Sequence, residues 1–147
     1  MAEIKNKPNK REYPQVGAGV VIIRDGKTLL AKRKGAHGSG MWGSMGGHIE
    51  FGESPIETVK REAREELGIE IGNVEFAMVM NMIREGKHYL DVSFTAEIVS
   101  GEPKIQEPER IEAIEWFALG NLPSPLFPPV EAVLESVKSG KNYFEIK

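Results

Sequence analysis

The chain has 147 residues, 40% of them hydrophobic and 28% charged, which is ordinary for a folded globular protein and enough to bury a real core. A net charge of −3 gives no global pull toward nucleic acid or anionic membrane. The absence of cysteine excludes a disulfide framework, a thiol nucleophile and thiolate metal sites.

Residues 1–13 are polar, carry Lys5, Lys7, Lys10 and Arg11, and read as a flexible tail ahead of a single domain at 14–147. No signal-peptide core and no run long enough to span a membrane is present, which fits a cytoplasmic protein. Gln15–Arg24 is rich in β-branched residues and is expected to be a buried strand. Asp25-Gly26 is a two-residue hairpin signal, and residues 28–32 return as the second strand. Lys32, Arg33 and Lys34 close that strand as a basic end. A glycine-rich loop follows from Gly35 to Ser44. It is no P-loop, because no Gly-Lys-Ser/Thr follows. Trp42 within it is either a core strand residue or one wall of a base pocket, and His37 reads as a plain loop residue.

Residues 55–67 should form a short helix. Ser54 is the N-cap, Pro55 suits the first position, Glu57 completes a capping box, and Gly68 sits where a left-handed C-cap belongs. Ile56, Val59, Ala63 and Leu67 make the stripe to bury. Glu62, Glu65 and Glu66 gather on a neighbouring face. Like charges at that spacing repel by a few tenths of a kcal/mol per pair, roughly, in an isolated helix. A hard divalent cation, Mg²⁺ or Mn²⁺, would turn the repulsion into coordination. The bland alternative is a solvated acidic face.

Gly47, Glu53 and the run Arg61-Glu62-Ala63-Arg64-Glu65-Glu66-Leu67-Gly68-Ile69 together resemble a complete Nudix box, G-x5-E-x7-R-E-U-x-E-E-x-G-U with U apolar. The segments LLAKRKG, HIEFGES and EPKIQEPERIEAIEWF resemble the branch that cleaves nucleoside triphosphates, with its MutT-like sanitising enzymes and dihydroneopterin triphosphate pyrophosphohydrolases. Met45 stands where most such sequences have proline. The resemblance implies an α+β fold, the Nudix αβα sandwich, with a mixed sheet flanked by helices. It implies Mg²⁺-dependent release of pyrophosphate from a nucleoside triphosphate or related small molecule, with homodimers as in related small enzymes, and the charge balance adds the expectation of no nucleic-acid or membrane partner. It places Glu62, Glu65, Glu66 and the Gly46 carbonyl at the metal, and gives Arg61 the orienting of Glu53. The general base stays open among Glu53, Glu65 and a later carboxylate. Arg33 and the Gly46-Gly47 backbone would meet substrate.

Residues 70–84 and 88–99, joined at Glu85-Gly86, should form a second hairpin. Met78, Met80 and Met82 alternate there and belong to a core or a dimer surface. Asn81, His88 and Tyr89 lie near this hairpin, where residues of related sequences face the nucleoside, the alternative being surface polar groups. Gly101–Arg110 is a loop before a strand at 111–117, and the resemblance implies one more carboxylate from this region: Glu112 first, Glu109 second. A proline-rich turn leads to a last helix at 130–138, ended by Gly140, and YFEI adds a short extended piece. Two rival functions stand beside the main one: an ADP-ribose or nucleotide-sugar pyrophosphatase, and a non-catalytic nucleotide-binding module.

Overall fold

The computed structural model describes residues 13–35 and 38–147, so the polar tail at 1–12 and His37 lie outside it. Its elements in chain order are β1 (Gln15–Arg24), β2 (Lys27–Arg33), β3 (Trp42–Gly43), β4 (Met45–His48), α1 (Pro55–Leu67), β5 (Glu70–Arg84), β6 (Lys87–Ser100), β7 (Ile111–Ala118), α2 (Pro128–Ser139) and β8 (Tyr143–Ile146). The strands join in one mixed sheet, ordered β3-β2-β1-β6-β5-β8, with β4 paired to β1 and β7 to β2. This is the α+β sandwich that the resemblance implied. No helix among the described residues is long and apolar enough to cross a membrane.

Both hairpin turns form where the sequence places them. Asp25 and Gly26 take φ of 51° and 75°, and Glu85 and Gly86 take 51° and 76°. Two consecutive positive φ values suit the type I′ turn, whose twist matches that of the flanking strands.

The strand β1 is the hub. Its first half pairs antiparallel with β4 and its last residues with β2, while its other edge runs parallel to β6. Its side chains alternate between two cores. Ala18, Val20 and Ile22 face α1, where Val59, Ala63 and Leu67 are fully buried. Val21 faces α2, together with Met78, Met80 and Met82. The alternating methionines are therefore core.

The helix α1 has the caps that its sequence specifies. Ser54 Oγ accepts from the Glu57 N–H at 3.0 Å, Glu57 Oε1 accepts from the Ser54 N–H at 2.8 Å, and Gly68 is left-handed at φ 68°. Ser54→Ala is expected to cost about 1 kcal/mol and to lower the melting temperature by a few degrees, read by thermal denaturation. The buried stripe differs from expectation at its start: Ile56 is 40% exposed, and Thr58 is fully buried. Thr58 Oγ1 donates to Glu53 Oε1 at 2.7 Å and reaches the Ser54 carbonyl at 3.0 Å. Its hydroxyl is thus satisfied inside, and Ile56 is turned outward.

Candidate active site

The acidic wall is built by α1 against the glycines of β4. Glu62 and Glu66 are buried, while Glu65 is about half exposed. A side chain on Gly47 would put its Cβ 2.6 Å from Glu62 Oε1, so the missing side chain makes room for that carboxylate. A Cβ on Gly46 would lie 2.5 Å from the Ala18 carbonyl oxygen, and the Gly46 N–H donates to Glu66 Oε1 at 3.1 Å. The helix thus presses its carboxylates onto bare backbone.

Arg61 ties this wall together. Its Nε and Nη2 grip both oxygens of Glu53 at 2.7 and 3.0 Å, a two-point contact of the strong, planar kind. Its Nη1 donates to Glu62 Oε1 at 2.8 Å and to Glu65 Oε1 at 3.2 Å, and Nη2 also reaches the His48 carbonyl at 3.3 Å. Glu53 further accepts from the Glu50 N–H at 3.1 Å. The bonds from Arg61 and Thr58 hold the Glu53 carboxyl down at about 2. Such a weak base takes no proton at neutral pH, which suits Glu53 to orienting Arg61 rather than to general-base work.

Burial acts oppositely on the other two. It raises the Glu62 carboxyl, with Arg61 pulling back. It pushes Glu66 up to about 8, helped by the charge of Glu62 and opposed by the Gly46 N–H. Two buried carboxylates that resist ionising side by side are a ready place for a cation.

The donor set fits magnesium. All the atoms on offer are hard oxygens. Among the described residues no three acidic or histidine side chains are gathered to hold an ion unaided. That is the usual state of a Mg²⁺ site, where one or two carboxylates are completed by water and substrate phosphate.

The opposite wall is basic. The cleft has a volume of about 530 Å³ and is lined by Arg33, Lys34 and Arg110 as well as by the acidic helix. Arg33 stacks over the Phe127 ring with its guanidinium carbon 4.3 Å from the centroid. Burial lowers its pKa, Glu66 raises it and Arg110 lowers it, so these charges share one space.

Several expected residues lie elsewhere. Glu112 points away from the cleft and pairs with Lys32 at 3.6 Å, because alternation along β7 turns Ile111 inward and Glu112 out. The second choice, Glu109, lines the cleft, and the charge of Glu107 raises Glu66. Trp42 is no pocket wall: it packs edge-on against Phe117 at 4.9 Å in the α2 core. Asn81 and His88 bond one another, His88 Nε2 donating to Asn81 Oδ1 at 2.7 Å. Asn81 pairs with Leu90, whereas Met82 pairs with Tyr89, and it is Met82 and Tyr89 that line the cleft. The parity of the strand sends Asn81 to the other face. Of the three hairpin residues expected near the nucleoside, Tyr89 alone lines the cleft. Sequence reasoning missed Asp91, Arg110 and Phe127, whose only signal was their place after the box.

A NUDIX domain model matches residues 13–137. Among curated proteins, the NAD-capped RNA hydrolase NudC of Pseudomonas aeruginosa (strain LESB58) is 37% identical over 113 residues, covering 76% of this chain and 40% of that protein. The NAD-capped RNA hydrolase NudC of Chromobacterium violaceum is 36% identical over 118 residues, 78% of this chain and 43% of that one. The chain thus spans about two fifths of the length of these relatives. A MutT NUDIX hydrolase from Burkholderia pseudomallei superimposes with a TM-score of 0.83 at 42% identity, covering 86% of this chain and 99% of that one. A NUDIX hydrolase from Nitrosomonas europaea does so at 0.75 and 26% identity, covering 89% and 93%.

Proposed function

The chain belongs to the NUDIX family of hydrolases, and from that membership we propose that it splits a phosphoanhydride bond of a nucleoside triphosphate, releasing monophosphate and pyrophosphate. The observation that carries this reading is the pair of facing walls. Buried Glu62 and Glu66 stand across one cleft from Arg33 and Arg110. A polyphosphate placed between them meets cations on one side and needs them on the other.

Glu62 and Glu66 would hold Mg²⁺ (or Mn²⁺), with the Gly46 carbonyl beside them and Glu65 assisting. The ion would neutralise phosphate charge and acidify a bound water. The chain's own groups do the rest. Arg61, anchored by Glu53, keeps the acidic wall in place, and Arg33 draws the phosphates toward it. Water oxygen bonds to phosphorus, the bridging P–O bond breaks, pyrophosphate departs and the water's proton passes to a carboxylate. Glu109, which lines the cleft, or Glu65, which lies just outside its lining and pairs with Arg61, would take that proton.

A second reading is favoured by the 37% identity to a NAD-capped RNA hydrolase. The bond cleaved would then be the diphosphate linkage of a dinucleotide or of ADP-ribose, in the same cleft and by the same groups.

The test is pyrophosphate and monophosphate release with Mg²⁺ across ordinary and oxidised nucleoside triphosphates, dihydroneopterin triphosphate, NAD and ADP-ribose. Pyrophosphate from a triphosphate, stopped by EDTA, is the expected result. AMP from ADP-ribose or NAD alone moves the protein to the second reading. Nucleotide binding with no turnover makes it a binding module. Glu62→Gln is expected to lower kcat/KM by about 10²-fold or more, the scale of losing one preorganised charge, with the fold intact. Full activity in that variant would remove Glu62 from the metal.

A further inference from the structure

Beyond the phosphate-handling walls the cleft has an inner part that the proposed hydrolysis does not use. On β1, Gly17 and Gly19 occupy consecutive positions of the face turned toward α2, in a strand whose other residues are mostly large and apolar. They pair with Asp91 and Ser93 of β6. A Cβ on Gly17 would lie 2.6 Å from Asp91 Oδ1, and one on Gly19 would lie 3.5 Å from Ser93 Oγ. The two glycines therefore leave a hollow with a polar floor. Met82, Tyr89 and Phe127 line the same cleft. Tyr89 is stacked with His48 at 6.2 Å between centroids and 18° between planes. Flat aromatic and thioether walls over a polar floor suit a heteroaromatic ring.

The floor has an unused acceptor. Among the described residues Asp91 takes no hydrogen bond and no ion pair. Burial pushes its carboxyl up to about 6, with His48 pulling it back. Half-buried in the cleft, with no protein donor on its oxygens, this side chain is open to a ligand that donates to it. Ionised, it is an acceptor only, with two parallel oxygens.

We propose that Asp91 selects the ring of the substrate, its carboxylate accepting a pair of hydrogen bonds from an amide N–H and the exocyclic amino group beside it. Guanine, its 8-oxo form and the pterins all present that edge. Adenine presents a donor next to an acceptor, which would meet Asp91 with lone pair against lone pair. The inference rests on the triphosphate reading above for its substrates, though its binding chemistry is separate from the cleavage chemistry.

The experiment measures kcat/KM of the full chain with Mg²⁺ for dGTP, dITP, dATP and dihydroneopterin triphosphate, in wild type and Asp91→Asn. The carboxamide keeps the size and swaps one acceptor for a donor. Efficiency with dGTP and the pterin should fall about 10- to 100-fold, the worth of one good two-point contact to a base edge. With dITP, which lacks the amino group, the loss should be smaller. With dATP efficiency should hold within about 3-fold or rise, since a carboxamide matches the adenine edge. Gly17→Ala, which crowds Asp91 Oδ1, should flatten the same preferences and guards against a variant that merely folds poorly. Equal losses on all four substrates overturn the proposal. If wild type cleaves no triphosphate, the hydrolysis reading fails by itself. Asp91 is then judged by calorimetric titration with GMP and AMP: a preference for GMP that Asp91→Asn abolishes supports the proposal, and no preference in wild type overturns it.

Discussion

Glu66→Gln should all but stop turnover and at the same time make the metal-free protein more stable at pH 8. Most substitutions in an active site lower both quantities or one. The opposite signs here follow from where Glu66 sits. Its side chain is 9% exposed, lies beside Glu62 and keeps its proton up to about 8, against an ordinary value of 4.5. Between those two values the folded chain binds a proton that the unfolded chain has released. Stability must therefore fall as pH rises through that window, by up to about 1.4 kcal/mol per pH unit for one group, and be level on either side. Glutamine carries no charge to bury and can still accept from the Gly46 N–H. By the same linkage, removing that charge should gain on the order of a few kcal/mol at pH 8, which corresponds to several degrees in a chain of this size. Calorimetry in EDTA from pH 5 to 9 should show a falling melting temperature in wild type and a flatter line in the variant. With Mg²⁺ the wild type should recover at high pH, since a cation competes with the same proton. Activity of Glu66→Gln should be down by about 10²-fold or more. An active variant, or one that melts earlier at pH 8, would contradict this account of the acidic wall.

The neighbouring glycines should separate stability from activity. Gly46→Ala drives a methyl group to 2.5 Å from the Ala18 carbonyl oxygen and 2.9 Å from the Gly19 Cα. Both are backbone atoms of β1, and neither can move without parting β4 from the hub of the sheet. The cost should be about 1–3 kcal/mol or more, as for other forced overpacking. Gly47→Ala meets Glu62 Oε1 at 2.6 Å instead, the far end of a side chain that can swing aside. The fold should survive nearly unchanged, and kcat/KM should fall about 10²-fold because the displaced carboxylate is one of the two proposed metal ligands. Thermal melts and initial rates on the pair decide it. A Gly47→Ala enzyme with full turnover would mean that the Glu62 position does not matter to the chemistry.

How much of this could be read from the chain alone depended on distance along it. The caps of α1, the two I′ turns and the left-handed Gly68 are set by residues within a few positions of one another, and each formed as expected. The acidic wall was equally legible, because Glu53, Arg61, Glu62, Glu65 and Glu66 all come from one helix and the loop before it. Errors arose where a long-range pairing fixes the parity of a strand. Glu112 looked well placed until β7 paired with β2 and turned Ile111 inward. Asn81 and His88 missed the cleft by one step of alternation, while Tyr89, expected beside them, lines it together with Met82. Ile56 lost the interior to Thr58 because a hydroxyl whose hydrogen bonds are made by Glu53 and the Ser54 carbonyl is no longer polar baggage. The parallel union of β1 with β6, which brings Asp91 to the cleft, left no local mark at all.

That division has a consequence for descent. The half of the cleft proposed to hold metal and phosphate travels as one short contiguous cassette, whereas the half proposed to take the ring is assembled from β1, β5, β6 and the turn before α2. Substitutions in the second half can retune substrate choice while the cassette stays untouched. Lineages that share this fold can therefore drift apart in diet while keeping one reaction, and specificity in such a scaffold is best sought in the strands rather than in the signature that identifies it.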